Sequence, residues 1–185
     1  MVVDAPDGVN EGDAPMTMRW EEQGGGSRYA VIPRTLTFLF RGDKVLLLRG
    51  TASKARWGGR LNGLGGHVEP GEDVRASALR EVREEAGLAP ADLALAGILH
   101  ITGPSAGEPG IMLFVYAGEA PPGAETVASG EGALEWHPIG ALPRPDVLDD
   151  LPLLIPRVHV AWRRRTVLYG RYRTDADGTV HPTFS

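Results

Sequence analysis

Glu81, Glu84 and Glu85 stand at i, i+3 and i+4, the spacing that brings three carboxylates to one face of an α-helix. Alone they would repel one another and gain nothing from the arrangement. A bound cation reverses that balance, because Mg2+ and Mn2+ favour hard oxygen ligands. Leu79, Val82 and Ala86 give the same segment an apolar side, so one face can pack while the other coordinates. Arg80 is spaced to pair with Glu72 and tie the preceding loop to the helix. That loop reads Gly66-His67-Val68-Glu69-Pro70-Gly71-Glu72. A glycine turn leading into an acidic helix is a device for holding divalent metal against a phosphate chain.

A pair such as Glu84-Glu85 taken alone reads as a solvated helix face. The whole stretch from Gly66 to Leu88 does not: it follows G-x5-E-x7-R-E-U-x-E-E-x-G-U, with U aliphatic, without a gap. This pattern resembles the Nudix box. The resemblance implies an α/β fold, an α/β/α sandwich with a mixed central sheet. It also implies a Mg2+-dependent hydrolase, with Mn2+ as a substitute, that cleaves a nucleoside diphosphate linked to a further group. The metal ligands it implies are Glu81, Glu84, Glu85 and the backbone carbonyl of Gly65.

Immediately before the box stands Leu61-Asn62-Gly63-Leu64-Gly65-Gly66. Glycine lets backbone approach a ligand closely and adopt positive φ. Asn62 offers a donor and an acceptor, which suits a purine edge, but Asn-Gly is equally a common turn pair. Within the family, Asn-Gly-x-Gly-Gly is similar to enzymes that hydrolyse oxidised purine nucleoside triphosphates, where the matching Asn contacts the base. Glu135-Trp136-His137-Pro138-Ile139 and the pair Asp149-Asp150 ahead of an apolar helix are similar to the same enzymes, whose paired aspartates hydrogen-bond the base edge. Two adjacent carboxylates in an apolar pocket cannot both ionise cheaply, so one is expected to stay protonated and donate. The alternative is that Asp149-Asp150 caps the helix. The resemblance also gives Glu131 as a further metal carboxylate, against an ordinary loop glutamate. Trp57 is a stacking platform for the base or a core residue, and Thr35 is a further base contact.

Two features depart from that subgroup. His67 stands where it usually has Lys, which leaves triphosphate contacts to Arg49, Lys54 or Arg56. Pro104 lies where a proline resembles a mark of ADP-ribose-cleaving members, although it sits in a Gly/Pro-rich connection. The expectation is a nucleoside triphosphate diphosphatase acting on a purine such as 8-oxo-dGTP and releasing a monophosphate and pyrophosphate. Glu81 or Glu131 is the base. The alternatives are a hydrolase of ADP-ribose or another nucleoside diphosphate-X, or a binding module without catalysis.

These residues need strands and helices to carry them. Strands are expected over 34–40 and 44–49 around the Arg41-Gly42-Asp43 turn, over 93–102, 111–116 and 134–138, and over 166–172 and 179–184 flanking the Asp175–Gly178 hairpin turn. The box helix is expected from Val74 to Ala86, with Asp73 as N-cap and Gly87 as stop, and a second helix over 151–162. Residues 1–27, rich in Asp, Glu, Gly and Pro, read as a flexible tail, and 28–185 as a single domain.

The chain has 185 residues, a net charge of −5 and no cysteine. That excludes a basic footprint for polymeric nucleic acid and a disulfide framework. No signal peptide or membrane-length apolar run is evident, so the expectation is a cytoplasmic protein, monomer or homodimer, whose partner is a small nucleotide.

Overall fold

Along Val31–Arg41, residues Thr35 to Phe40 are all buried, which marks a strand covered on both faces. Alternate side chains serve two separate cores. Leu36, Phe38 and Phe40 join one, and Leu39 joins the other. The next strand repeats the division, with Val45 and Leu47 on the first side and Leu46 and Leu48 on the second.

The computed structural model describes residues 29–51, 58–103, 107–122, 124, 128–129, 132–142, 145–175 and 177–185. The expectations for the tail, Lys54, Arg56, Trp57, Pro104 and Glu131 lie outside the described residues. The elements in chain order are β1 Val31–Arg41, β2 Lys44–Gly50, β3 Leu61–Asn62, α1 Val74–Ala86, β4 Leu93–Thr102 and β5 Gly110–Glu119. They continue with β6 Ala128–Ser129, β7 Gly132–Pro138, a 3-10 turn at Ile139–Ala141, α2 Leu151–Arg164, β8 Leu168–Thr174 and β9 Val180–Phe184.

The sheet runs β6-β7-β2-β1-β5-β4-β8-β9, with β3 paired to β2. Strands β1 and β5 pair in parallel from Val31↔Gly110 to Phe40↔Glu119, as do β4 and β8, whereas β1–β2, β4–β5 and β2–β7 are antiparallel. This is the mixed sheet expected. Ala78 and Val82 of α1 pack with Leu39, Leu46 and Leu64, while Leu151, Leu154, Ile155 and Val158 of α2 pack with Leu36, Phe38 and Phe40. Helices on opposite faces of one sheet make the α/β/α sandwich.

Local chemistry sets the helix ends. The Asp73 carboxylate accepts from the amides of Arg75 and Ala76 at 2.8 Å, and Gly87 closes α1 in the left-handed region at φ 65°. Helix α2 runs two residues past the expected end, to Arg164, and closes on Arg165 at φ 55°. Strand β5 continues to Glu119 because its pairing with β1 outlasts the apolar run. The two-residue strands β3 and β6 are set by pairing and leave no periodic signature of their own. None of the described helices is long and apolar enough to cross a membrane.

Candidate active site

The site is assembled around Gly65. Its φ of 147° lies in the range that favours glycine, and a Cβ there would collide with the Thr35 carbonyl oxygen. A Cβ on Gly66 would collide with Glu81 Oε1, so the loop lies directly against that carboxylate. Backbone bonds lock the loop to β1: Thr35 N donates to Gly66 O at 2.9 Å, and Thr37 N to Leu64 O at 2.6 Å. The Gly65 amide donates to Glu85 Oε2 at 2.8 Å.

Arg80 organises the acidic face as its spacing predicts. Its Nε and one terminal nitrogen reach the two Glu72 oxygens at 2.8 and 3.1 Å, and its other terminal nitrogen reaches Glu81 at 3.0 Å and Glu84 at 2.9 Å. The guanidinium holds the Glu72 carboxyl well below its usual range, at a pKa of about 2. Arg80 itself is shifted upward, chiefly by its bond to Glu72. Glu85 is buried and Glu84 exposed, so the helix face carries one carboxylate inward and one toward solvent.

The donor set suits a hard divalent cation: three carboxylates, with one arginine among Glu72, Glu81 and Glu84, leave an excess of negative charge beside a glycine backbone. Among the described residues no three acidic or histidine side chains already converge as ligands. Arg80 draws Glu81 and Glu84 to itself, and the Gly65 amide holds Glu85.

On the other side of Gly65 a pocket of about 210 Å3 is lined by Thr35, Asn62, Gly65 and Asp150, with Ile101 and Leu113 among its apolar walls. The Thr35 hydroxyl is buried with no hydrogen-bond partner among the described residues. Asn62 Oδ1 accepts from the Gly63 amide at 2.8 Å, the local contact of a turn residue, which leaves its Nδ2 donors for the pocket. Asp150 occupies the N-cap position of α2 but makes no side-chain cap bond. Burial raises its pKa, which favours the protonated form. The Tyr172 hydroxyl interacts with this carboxyl and is likewise shifted upward, chiefly by burial.

Asp149 goes elsewhere. Its side chain is 93% exposed and pairs with Arg60 at 2.5 Å, outside the pocket that Asp150 lines. Arg49 is also committed, to Glu135 at 2.5 Å, to Asp146 at 2.8 Å and to the Gly59 carbonyl at 2.8 Å, which argues against the expected phosphate role. Arg60, two residues before Asn62, has no spacing that marks it for the site, and Tyr172 belongs to Tyr169-Gly170-Arg171-Tyr172, a stretch that resembles the C-terminus of the same subgroup without assigning Tyr172 a role.

The NUDIX domain family matches residues 32–157. The oxidized purine nucleoside triphosphate hydrolase of Mus musculus is 31% identical over 128 residues, covering 66% of this chain and 79% of that protein. The uncharacterized Nudix hydrolase YvcI of Bacillus subtilis (strain 168) is 34% identical over 105 residues, covering 52% and 60%. Among solved structures, a MutT protein from Bacillus halodurans aligns with a TM-score of 0.65 and 26% identity, covering 84% of this chain and 98% of that one. The NUDIX domain of Shewanella oneidensis NrtR, complexed with ADP ribose, shares the fold alone, with a TM-score of 0.60, 18% identity, and 82% and 100% coverage.

Proposed function

The chain belongs to the Nudix family and is a pyrophosphohydrolase of that family; we propose that it is a Mg2+-dependent diphosphatase of purine nucleoside triphosphates, oxidised purines such as 8-oxo-dGTP included. The observation that carries this reading is the continuity through Gly65. One side of that residue meets the box glutamates, and the other lines a pocket with Asn62, Thr35 and Asp150.

The hydrogen-bonding groups of that pocket suit a purine lactam. Asn62 Nδ2 donates to an exocyclic oxygen or a ring nitrogen, a protonated Asp150 both donates and accepts, and the Thr35 hydroxyl is a further partner. The similarity to the mouse hydrolase of oxidised purine triphosphates supports the same substrate class.

Glu81, Glu84, Glu85 and the Gly65 carbonyl are the residues that would hold Mg2+, joined by Glu131. The ion supplies neutralisation of phosphate oxygens and a water of lowered pKa. To serve as a ligand Glu84 would give up its bond to Arg80, while the two bonds of Arg80 to Glu72 would keep the loop fixed. Glu81 or Glu131 accepts the proton from the attacking water.

The test is a nucleotide panel with Mg2+ and identification of both products. Pyrophosphate and a monophosphate from purine triphosphates are expected, and Asn62→Ala erodes the discrimination among bases. Two monophosphates from ADP-ribose with triphosphates untouched overturns the reading, as does turnover of nothing on the panel.

A further inference from the structure

Beyond Asp150 a second cleft, of about 730 Å3, opens between the Asp149–Asp150 turn, the start of α2 and the β8–β9 hairpin. It shares Ile101, Leu148 and Asp150 with the Asn62 pocket, so the two hollows adjoin along these residues. Small-ligand sites run from roughly 300 to 1,000 Å3. The Asn62 pocket, at about 210 Å3, falls below that range, and the second cleft lies inside it.

The walls of the second cleft are of mixed character. Leu153 and Val180 line it and are each 45% exposed, so they offer it an accessible apolar wall. Tyr172, only 3% exposed, also lines it, and its hydroxyl interacts with Asp150. Arg60 lines it too, with one terminal nitrogen spent on Asp149 and on the Val147 carbonyl at 2.7 Å and its Nε enclosed. What the cleft offers a ligand is therefore its volume and its apolar wall.

We infer that this cleft is a second subsite, which receives a substituent carried on the base edge that faces Asp150, and that the chain therefore accepts purine triphosphates enlarged at that edge. The inference rests on the purine reading and names its substrate class more closely. Guanines monosubstituted at N2 are the fitting class. The lactam edge presents N1–H and the exocyclic N2, and a single substituent leaves one N2–H to donate to the carbonyl oxygen of the protonated Asp150. The arm on that nitrogen runs past Ile101 and Leu148, which line both hollows, into the cleft. Its apolar body lies on Leu153 and Val180.

The test uses the full chain with Mg2+ and measures kcat/KM for dGTP and for N2-benzyl-dGTP. The expected result is that the benzyl nucleotide is turned over within about tenfold of dGTP, since its arm meets a preformed apolar cleft. Val180→Trp, which fills the cleft from β9, lowers the ratio of benzyl to unsubstituted kcat/KM by about tenfold or more, without loss of the thermal transition. Leu153→Trp does the same from α2 and stands in if the first variant fails to fold. Rejection of N2-benzyl-dGTP by an enzyme that hydrolyses dGTP overturns the inference alone, as does an unchanged ratio in the folded variants. Hydrolysis of neither nucleotide, with 8-oxo-dGTP also untouched, overturns the purine reading and takes this inference with it, whereas turnover of 8-oxo-dGTP alone overturns this inference only.

Discussion

The amide of Gly65 donates to the carboxylate of Glu85 at 2.8 Å, across a loop and a helix twenty positions apart. Glu85 is buried, and Gly65 also lines the Asn62 pocket, so this single bond couples the acidic helix face to that pocket. A helix–loop contact of this kind transmits position: whatever fixes Glu85 also fixes the glycine backbone between the acidic face and the pocket.

Glu85→Gln keeps the shape and can still accept from the Gly65 amide, but it removes one negative charge from the face that would hold Mg2+. Glu84→Gln removes the charge on the solvent side. Each is expected to lower kcat by more than the roughly 10–100-fold seen when only an outer partner of a metal site is lost. The thermal transition should change little. Steady-state kinetics at saturating Mg2+ checks this, and near-normal turnover by either variant would remove the metal assignment.

Gly65→Ala tests the loop rather than the charge. At φ 147°, with the Thr35 carbonyl oxygen in the path of the added carbon, the backbone must move away from β1. The expected cost is on the order of 1–3 kcal/mol, the scale of a backbone forced into a sparsely populated region. Urea denaturation reads it as a lower midpoint at unchanged slope. Activity should fall further than stability predicts, because the same movement displaces the Glu85 partner.

Much of this site was legible because local rules wrote it. Asp73 and Gly87 bound α1 at the expected residues, and Arg80 with Glu72 closed the pair its spacing called for. Asn62, Thr35 and Asp150 meet in one pocket although they come from β3, β1 and the turn before α2. Only family likeness linked them in advance, since no short-range pattern spans such separations. The divergent fates of Asp149 and Asp150 were not readable. In sequence they are two equal carboxylates, and only the turn sends one out to Arg60 and the other in beside Tyr172. Orphaned groups such as the Thr35 hydroxyl exist only after packing, so composition cannot announce them.

The pull of Arg80 on Glu72 has a consequence for acid stability. A carboxyl whose folded pKa is depressed contributes stability that is complete above its unfolded value, here 4.5, and is lost as pH falls through about 2. Wild-type chain should therefore lose a stability advantage over Glu72→Gln progressively between about pH 4.5 and pH 2, and keep it constant through neutrality. Thermal melts of both proteins across that range check the window. A gap between them that persists unchanged below pH 2 would mean that the ion pair is not its source.

Asp150 carries the opposite sign. Burial raises its folded pKa above the ordinary value of 3.8, so the folded chain binds this proton more tightly than the unfolded chain does. Stability on account of Asp150 is intact below pH 3.8 and declines as pH climbs from there through the raised value, because ionisation is easier once the chain unfolds. Asp150→Asn removes that cost while keeping a donor and an acceptor of similar size. The variant should melt above wild type at pH 7, with the difference closing as pH drops toward 3.8. Its kcat/KM for purine triphosphates should also lose any basic-limb pH dependence that wild type owes to this carboxyl, since an amide cannot ionise. Parallel melts and pH–rate profiles separate the two effects. An Asp150→Asn protein less stable than wild type at neutral pH would show that the carboxylate is paired in the fold rather than held neutral.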